Sequence, residues 1–323
     1  MAEPDISVGS RMQLGRVAIF QPQSLLGLAI GVGGGALQSI LLATSLMDGL
    51  MWGAVFGGAF GFFFFRRATS PGAGLIWGVA AGLLLWIVGP AGILSMRGAS
   101  HSMGMLDEAR AHFPQLVAFT ICLGMPVGVT LGTWEMLYSR KPHPKFSWGR
   151  AIVAGGLAGS LAGLIFGQWL RPSNYFPFLP GYGELESRAA TAVLQFFIAV
   201  LIGAIFGVLF QTDVRGYGSS MAWGLASGIF WWFLGPLTLS QVAMHSPVNW
   251  SAAQGSKLFG SLVGDILYGL MLGITYATFD RLWLRLFIQS DPLNREVTGP
   301  GLRFIRSVER RRTQCMCRTP ERA

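Results

Sequence analysis

The stretch WGVAAGLLLWIVGP at residues 77–90 recurs as WGLASGIFWWFLGP at residues 223–236. Both copies lack charged residues and combine large apolar side chains with glycine, a pattern typical of a helix inside a membrane. The matched residue numbers differ by 146 throughout. The matched pairs are Trp77 and Trp223, Gly78 and Gly224, Gly82 and Gly228, Trp86 and Trp232, Gly89 and Gly235, and Pro90 and Pro236. The repetition indicates that one membrane helix is present twice in the chain.

The composition of the whole chain is that of a membrane protein. Of its 323 residues, 52% are hydrophobic and 12% are charged, whereas soluble domains carry roughly 25% charged residues. Charge-free stretches of about 20 residues recur, and each is long enough to cross a ~30 Å hydrocarbon core as a helix. The sequence therefore predicts an all-α fold, a polytopic membrane helical bundle. Its eight predicted spans are residues 25–46, 49–65, 72–94, 115–137, 150–170, 190–210, 218–240 and 259–280.

The duplication extends to helices on both sides of the repeated stretch. GAVFGGAF at residues 53–60 matches GAIFGVLF at 203–210, and TLGTWEMLYSR at 130–140 matches TYATFDRLWLR at 275–285. The first and fifth spans share only a high glycine content. Because four spans per unit is an even number, we predict two parallel four-helix repeats. The predicted organisation is an N-terminal segment 1–22, a first repeat 23–138, a linker 139–149, a second repeat 150–288 and a basic tail 289–323.

Lysine and arginine are concentrated on one side of the predicted membrane. Nineteen of the 24 lie in the alternate segments that include both termini, and such residues favour the cytoplasmic side. We therefore predict a protein of the inner (cytoplasmic) membrane with both termini in the cytoplasm and no removable signal peptide. Arg310, Arg311 and Arg312 in the tail predict contact with anionic lipid headgroups or with an acidic partner. A solvated tail without a partner is the alternative.

Glycine recurs every four residues in several spans. Such small-residue seams let helix backbones approach closely in lipid, where no hydrophobic force drives helices together. We therefore predict tight helix pairs of the glycine-zipper type. The glycines concerned are Gly53, Gly57 and Gly61; Gly74, Gly78 and Gly82; Gly124, Gly128 and Gly132; and Gly155, Gly159 and Gly163.

The two Gly-Pro pairs predict a kink or an end in the third and seventh spans, because proline removes a backbone donor and clashes with the preceding turn. Trp86 and Trp232 lie about one turn before Pro90 and Pro236, where indoles commonly mark the membrane interface. Two interpretations stay open. The breaks are either interfacial kinks, or they frame a transport or ion site between the repeats.

Asp265, in SLVGDILYGLMLG, is the main departure from the repeat, because Thr120 occupies the matching position in the fourth span. Ionisable residues inside a span are costly and usually face a partner or a water-filled cavity. The position predicts a depth of roughly 6–10 Å from the outer boundary. Carrying a proton, holding a cation and hydrogen-bonding a neighbouring helix all stay open as roles.

Methionine and histidine occur together in the loops that follow the two Gly-Pro pairs. Thioether and imidazole groups suit Cu(I), although methionine is also common in membrane proteins for packing. This hypothetical metal site comprises Met96, His101, Met103, Met105, Met244 and His245.

WGLASGIFWWFLGPLTL, followed by SLVGDILYGLMLG, resembles a group of bacterial and archaeal multi-pass membrane proteins. In that group a W-G-x3-G…W helix ends in G or G-P and is followed by a helix of the form S-L-x-G-H-x-x-Y-G. The chain is distantly similar to the YagU-like inner-membrane family, which is linked to acid resistance. Asp265 stands where the pattern has histidine. The resemblance implies a multi-pass inner-membrane protein and no defined activity.

The sequence contains no HExxH, GxxxxGK[ST] or GxSxG motif and no paired carboxylates on one helix face, so we predict no catalytic chemistry. The predicted function is a structural or accessory role in a larger membrane assembly. A transporter or channel with a site near Asp265, and Cu(I) handling at the outer face, are the alternatives. The lipid bilayer is the predicted partner, with a membrane protein or a second copy also open. Nucleic acid is excluded, and no cofactor is assigned.

Overall fold

The structure, a computed structural model, describes residues 22–65, 67–88, 105–138, 146–170 and 188–288. Within these residues, eight helices are long and apolar enough to cross a membrane, which confirms the predicted helical bundle. The first predicted span is displaced by up to four residues from the observed helix. We label the spanning helices α1 (Pro22–Leu42), α2 (Leu46–Phe63), α3 (Pro71–Val88), α4 (Phe113–Tyr138), α5 (Trp148–Leu170), α6 (Arg188–Phe210), α7 (Tyr217–Ala243) and α8 (Phe259–Trp283). Two short helices, Met105–Ala111 and Ala252–Lys257, precede α4 and α8.

Helices α4 and α7 each contain a π-helical turn, and α8 continues into a third, Leu284–Ile288. The turn in α4 is Phe119–Gly124 and lies directly before Pro126. The turn in α7 is Gly235–Leu239 and contains Pro236. Helix α7 therefore widens at Pro236 and continues to Ala243 instead of ending there. The Thr238 hydroxyl donates to the Phe233 carbonyl at 2.8 Å, which satisfies a backbone acceptor at the widened turn. Pro90 lies outside the described residues.

The helices pack as antiparallel hairpins whose backbones touch at glycine. In the α1–α2 hairpin, Gly31 faces Gly53, and Gly27 faces Gly57. A Cβ atom added at any of these four positions would overlap the carbonyl oxygen of the facing residue. The two backbones are so close at these positions that only glycine fits. This close contact provides the dispersion interactions that hold a hairpin together in lipid.

The second half repeats these contacts at corresponding positions. Gly155 on α5 faces Gly203 on α6, as Gly31 faces Gly53. Gly31 of α1 and Gly155 of α5 are therefore equivalent residues, 124 positions apart in the chain. The glycine content of the two helices does not by itself define this alignment. Gly224 on α7 likewise faces Gly269 on α8. The matching pair in the first half is Gly78 and Gly124.

One contact between the two halves joins the start of α3 to the end of α6. Gly72 at the start of α3 lies against Leu209 and Phe210 at the end of α6. In the adjoining loops, the Ser70 hydroxyl donates to the carboxyl of Asp213. Ser70 also accepts from the Ala73 amide at 3.0 Å and so caps the N-terminus of α3. One side chain therefore stabilises a helix end and joins the two halves.

We expect Ser70→Ala to lower the free energy of unfolding by about 1–3 kcal/mol, because it removes a helix cap and deprives the buried Asp213 carboxyl of a donor. Ser45→Ala is the matched control, since Ser45 caps α2 at an exposed position. Unfolding in graded denaturing detergent measures both. Equal losses for the two variants would contradict a role for Ser70 in joining the halves.

Burial raises the pKa of the Asp213 carboxyl, while the Ser70 hydrogen bond and Arg215 oppose this effect. In the pH window between the ordinary and the raised pKa, the folded protein binds more protons than the unfolded chain. Stability should therefore fall as the pH rises through that window. Asp213→Asn should flatten this dependence, which unfolding measured at a series of pH values would test. An unchanged slope in the variant would contradict the assignment.

Candidate functional site

Asp265 lies on α8, six residues after the helix begins at Phe259, a depth of about 9 Å. Its side chain has 0% exposure, and neither carboxylate oxygen has a hydrogen-bond partner among the described residues. On the α7 side, a Cβ added at Gly228 would overlap the backbone carbonyl of Asp265. The backbones of α7 and α8 therefore touch at Asp265, whose acidic side chain is enclosed by protein.

The hydroxyl groups near Asp265 already donate to backbone carbonyls. Tyr268 donates to the Ala199 carbonyl on α6 at 2.7 Å. Ser261 donates to the Leu258 carbonyl at 2.7 Å and accepts from the Trp232 indole. Next to Asp265 in the chain, Gly264 lies against the ring of Phe166 on α5. The surroundings are therefore aromatic and closely packed.

Buried polar residues follow one face of α8 from its first turn to its last. Where two of them lie on successive turns, they are three or four residues apart. The corresponding face of α4, at residue numbers lower by 145, is mostly apolar. Only Thr120 and Glu135 are polar there. The α8 residues are Ser261, Asp265, Tyr268, Tyr276 and Asp280, and their α4 counterparts are Leu116, Thr120, Leu123, Leu131 and Glu135. The polar face is therefore more complete in the second half, where all five positions are polar, than in the first half, where two are.

The opposite end of this face holds a buried ion pair. Arg150 Nε on α5 lies 3.1 Å from Asp280 Oδ1, and the two side chains are only 13% and 11% exposed. The boundary position of Asp280 favours a charge group with Arg281 or Arg285, but the structure pairs it with Arg150 instead. Arg281 points to the surface, with its guanidinium 4.2 Å from the ring centroid of Tyr217. Adjacent helix residues point in different directions, so Asp280 faces inward while Arg281 does not.

Sequence reasoning did not identify Arg150, Tyr268 or Tyr276. The available signal was the spacing of polar residues along α8, whose steps of three, four and eight positions keep them on one helix face. Tyr276 is fully buried and its hydroxyl has no partner among the described residues. No pattern within a single helix reveals that α5 supplies Arg150.

Trp86 and Trp232 occupy matching places at the same ends of α3 and α7. Trp86 Nε1 donates to the His112 carbonyl at 2.8 Å, and Trp232 Nε1 donates to the Leu258 carbonyl at 3.0 Å. Each indole thus holds the segment that enters the next spanning helix. Trp232 is buried. Its indole donates to the Ser261 hydroxyl, one turn before Asp265 on α8, so Trp232 and Asp265 lie at the same end of the bundle. Pro236 is also buried, one turn further along α7.

Only part of the hypothetical metal site falls within the described residues. His245 is exposed with a positive φ of 53°, and Met244 is partly buried. The loop is held by Gln241, which bonds both the amide and the carbonyl of Asn249. Met96, His101 and Met103 lie outside the described residues, as do Arg310, Arg311 and Arg312, and the Met105 side chain is not described. Among described residues, no three His, Cys, Asp or Glu side chains form a group able to hold a metal ion.

Comparison of the chain with family models, with curated proteins and with solved structures found no match. The resemblance to YagU-like proteins therefore stays an expectation.

Proposed function

We propose that this integral membrane protein moves protons across the bilayer through a site centred on Asp265. The observation that carries the proposal is a carboxylate inside a span with no exposed surface and no hydrogen-bond partner among the residues that the structure describes. Burying an ion without compensation costs several kcal/mol. The charge of Asp265 therefore has to be balanced by a bound proton or cation, and intramembrane carboxylates commonly serve in proton relays.

A proton fits this site better than a metal cation does. Hard cations require six or more oxygen ligands, whereas a proton requires a single oxygen atom. Near Asp265 the hydroxyls of Ser261 and Tyr268 are hydrogen-bonded within the protein, and together with the carboxylate they supply fewer oxygens than such a ligand shell requires. One carboxylate in an aromatic and aliphatic setting therefore favours proton binding.

The contact between α7 and α8 places Asp265 where a change of charge acts on two helices at once. The helix backbones meet through Gly224, Gly228 and Gly269. Hydrogen bonds from Ser220 to the Gly273 carbonyl and from Trp232 to Ser261 join the helices on either side of these glycines. Binding and release of a proton at Asp265 would therefore change the charge within this contact.

Proton flux into liposomes that contain the purified protein and a pH-sensitive dye tests the proposal. With a potassium diffusion potential as the driving force, we expect acidification above that of protein-free liposomes. Asp265→Asn should reduce the flux to background at an unchanged amount of protein, and Asp265→Glu should retain part of it.

Asp107→Asn is the matched control for this experiment. Asp107 is an exposed carboxylate paired with Arg110 at 3.3 Å, so its replacement should leave the flux unchanged. Wild-type flux in Asp265→Asn would exclude Asp265 as the proton site. Infrared difference spectra provide a second readout, because a carboxyl band that responds to pH should disappear in Asp265→Asn.

A structural or accessory role is the second candidate, and the glycine-packed hairpins and the buried Arg150–Asp280 pair favour it. These features make a rigid bundle suited to support a partner. In this case Asp265→Asn should weaken assembly without affecting any flux. Native mass spectrometry of protein extracted in mild detergent would show either a retained partner or a second copy.

Cu(I) handling by the loops stays a third hypothesis, based on the residues named in the sequence alone. Competition for Cu(I) against a chelator of moderate affinity tests it, with His245→Ala as the variant. The basic residues on the side of both termini support placement in the inner membrane with cytoplasmic termini. Labelling of single cysteines from each side of the membrane would test that orientation.

A further inference from the structure

An apolar groove of about 310 Å³ lies between α2 and α3. Helix α2 packs closely on α1, and α3 packs closely on α4, so the groove separates two tight hairpins. Its lining is aliphatic and aromatic along its whole length. The lining residues are Val55, Phe56, Ala59, Phe60, Phe64, Ala81, Leu84, Leu85 and Val88.

The groove is open on the side that faces the membrane. Val55, Ala59 and Leu84 are exposed, whereas Phe56, Phe60 and Ala81 are buried and form its floor. All six lie within spans. An empty apolar groove at this depth would forfeit dispersion contacts, and a flexible hydrocarbon chain can follow its shape.

One end of the groove is joined to an exposed cation. Phe64 lines the groove and lies 5.9 Å from the Trp77 ring, centroid to centroid. The Arg67 guanidinium lies over the same Trp77 ring, 5.6 Å from its centroid, and Arg67 is exposed. An arginine held by an aromatic ring at the end of an apolar groove complements a phosphate attached to an acyl chain.

We propose that this groove binds one acyl chain of an anionic phospholipid, with the lipid phosphate on Arg67. The second half provides a contrast, because in the loop between α6 and α7 the cation Arg215 has the acidic neighbour Asp213, which also bonds Ser70. We therefore assign the lipid site to the first half. It is independent of proton movement at Asp265, and either proposal can fail without the other.

Native mass spectrometry of the delipidated full-length protein tests the proposal with phosphatidylglycerol and phosphatidylcholine of identical acyl chains. We expect the first bound phosphatidylglycerol to be preferred by about fivefold, the contribution of one arginine at a membrane surface. Arg67→Gln should abolish the preference. Arg281→Gln, which removes a cation held over Tyr217 at 4.2 Å, is the matched control and should preserve it.

Two further variants probe the acyl chain. Ala59→Trp should fill the groove and weaken binding of both lipids, and Ala59→Leu should do so in part if the larger change prevents folding. An unchanged preference in Arg67→Gln, or unchanged binding in both Ala59 variants, would overturn the proposal. Equal competition by free phosphate would also overturn it, because it would show that the chain contributes nothing.

Discussion

Replacing Arg150 with alanine is expected to lower the free energy of unfolding by about 3–5 kcal/mol, because it leaves the buried Asp280 carboxylate without its counter-ion. The two side chains are almost fully enclosed between α5 and α8, so water cannot take over the role of the guanidinium. Asp280→Ala should have a similar effect, since it leaves the arginine unpaired. The double replacement Arg150→Leu with Asp280→Leu should recover much of the loss, because apolar residues can replace a buried ion pair at little cost.

Unfolding in graded denaturing detergent, followed by helix content, measures these differences. The control is the exposed pair of Arg110 and Asp107, whose side chains are 61% and 63% exposed. Arg110→Ala should change stability by less than about 1 kcal/mol. If Arg150→Ala were as mild as Arg110→Ala, or if the double replacement were the most damaging of the set, the ion pair would not hold α5 to α8.

The second large effect is expected at the glycine contacts. Gly53→Ala places a methyl group on the carbonyl oxygen of Gly31, and neither backbone can move without separating α1 from α2. We expect a loss of about 1–3 kcal/mol in the free energy of unfolding, the usual cost of overpacking.

Gly58 provides the matched control on the same helix, because nothing lies within 4 Å of a Cβ placed there. Gly58→Ala should be neutral or stabilising, since alanine favours the helix by ~1 kcal/mol over glycine. The same detergent titration compares the two variants. Equal effects at Gly53 and Gly58 would mean that the close approach of α1 and α2 contributes nothing to stability.

The asymmetry of the two halves links these observations to function. Helix α4 presents Leu123 and Leu131 where α8 presents Tyr268 and Tyr276. The first half carries the apolar groove and its arginine, and the second half carries the buried acids. Under the two proposals above, the two halves would support different tasks, a lipid site in the first and a proton site in the second.

For the part of the chain that the structure describes, the sequence by itself determined the number of spans and their positions to within a few residues. Long charge-free stretches leave a membrane helix as the one structure that satisfies every backbone group in lipid. The four-residue glycine spacing also indicated which faces of α2, α3, α4 and α5 would be closely packed, because a helix face follows from local periodicity. Asp265 was identified for the same reason, since a charge within an apolar run is visible without knowledge of its neighbours.

The tertiary structure alone decided which side chains meet. The partner of Asp280 is Arg150, about 130 residues earlier in the chain, and not the arginines that follow Asp280. The spacing of residues within α8 cannot show which arginine pairs with Asp280, because the pairing depends on how α8 is rotated against α5. The alignment of α1 with α5, the loop bond between Ser70 and Asp213 and the groove between α2 and α3 also depend on tertiary contacts. Each results from how separate helices pack, and periodicity within one helix contains no information about it.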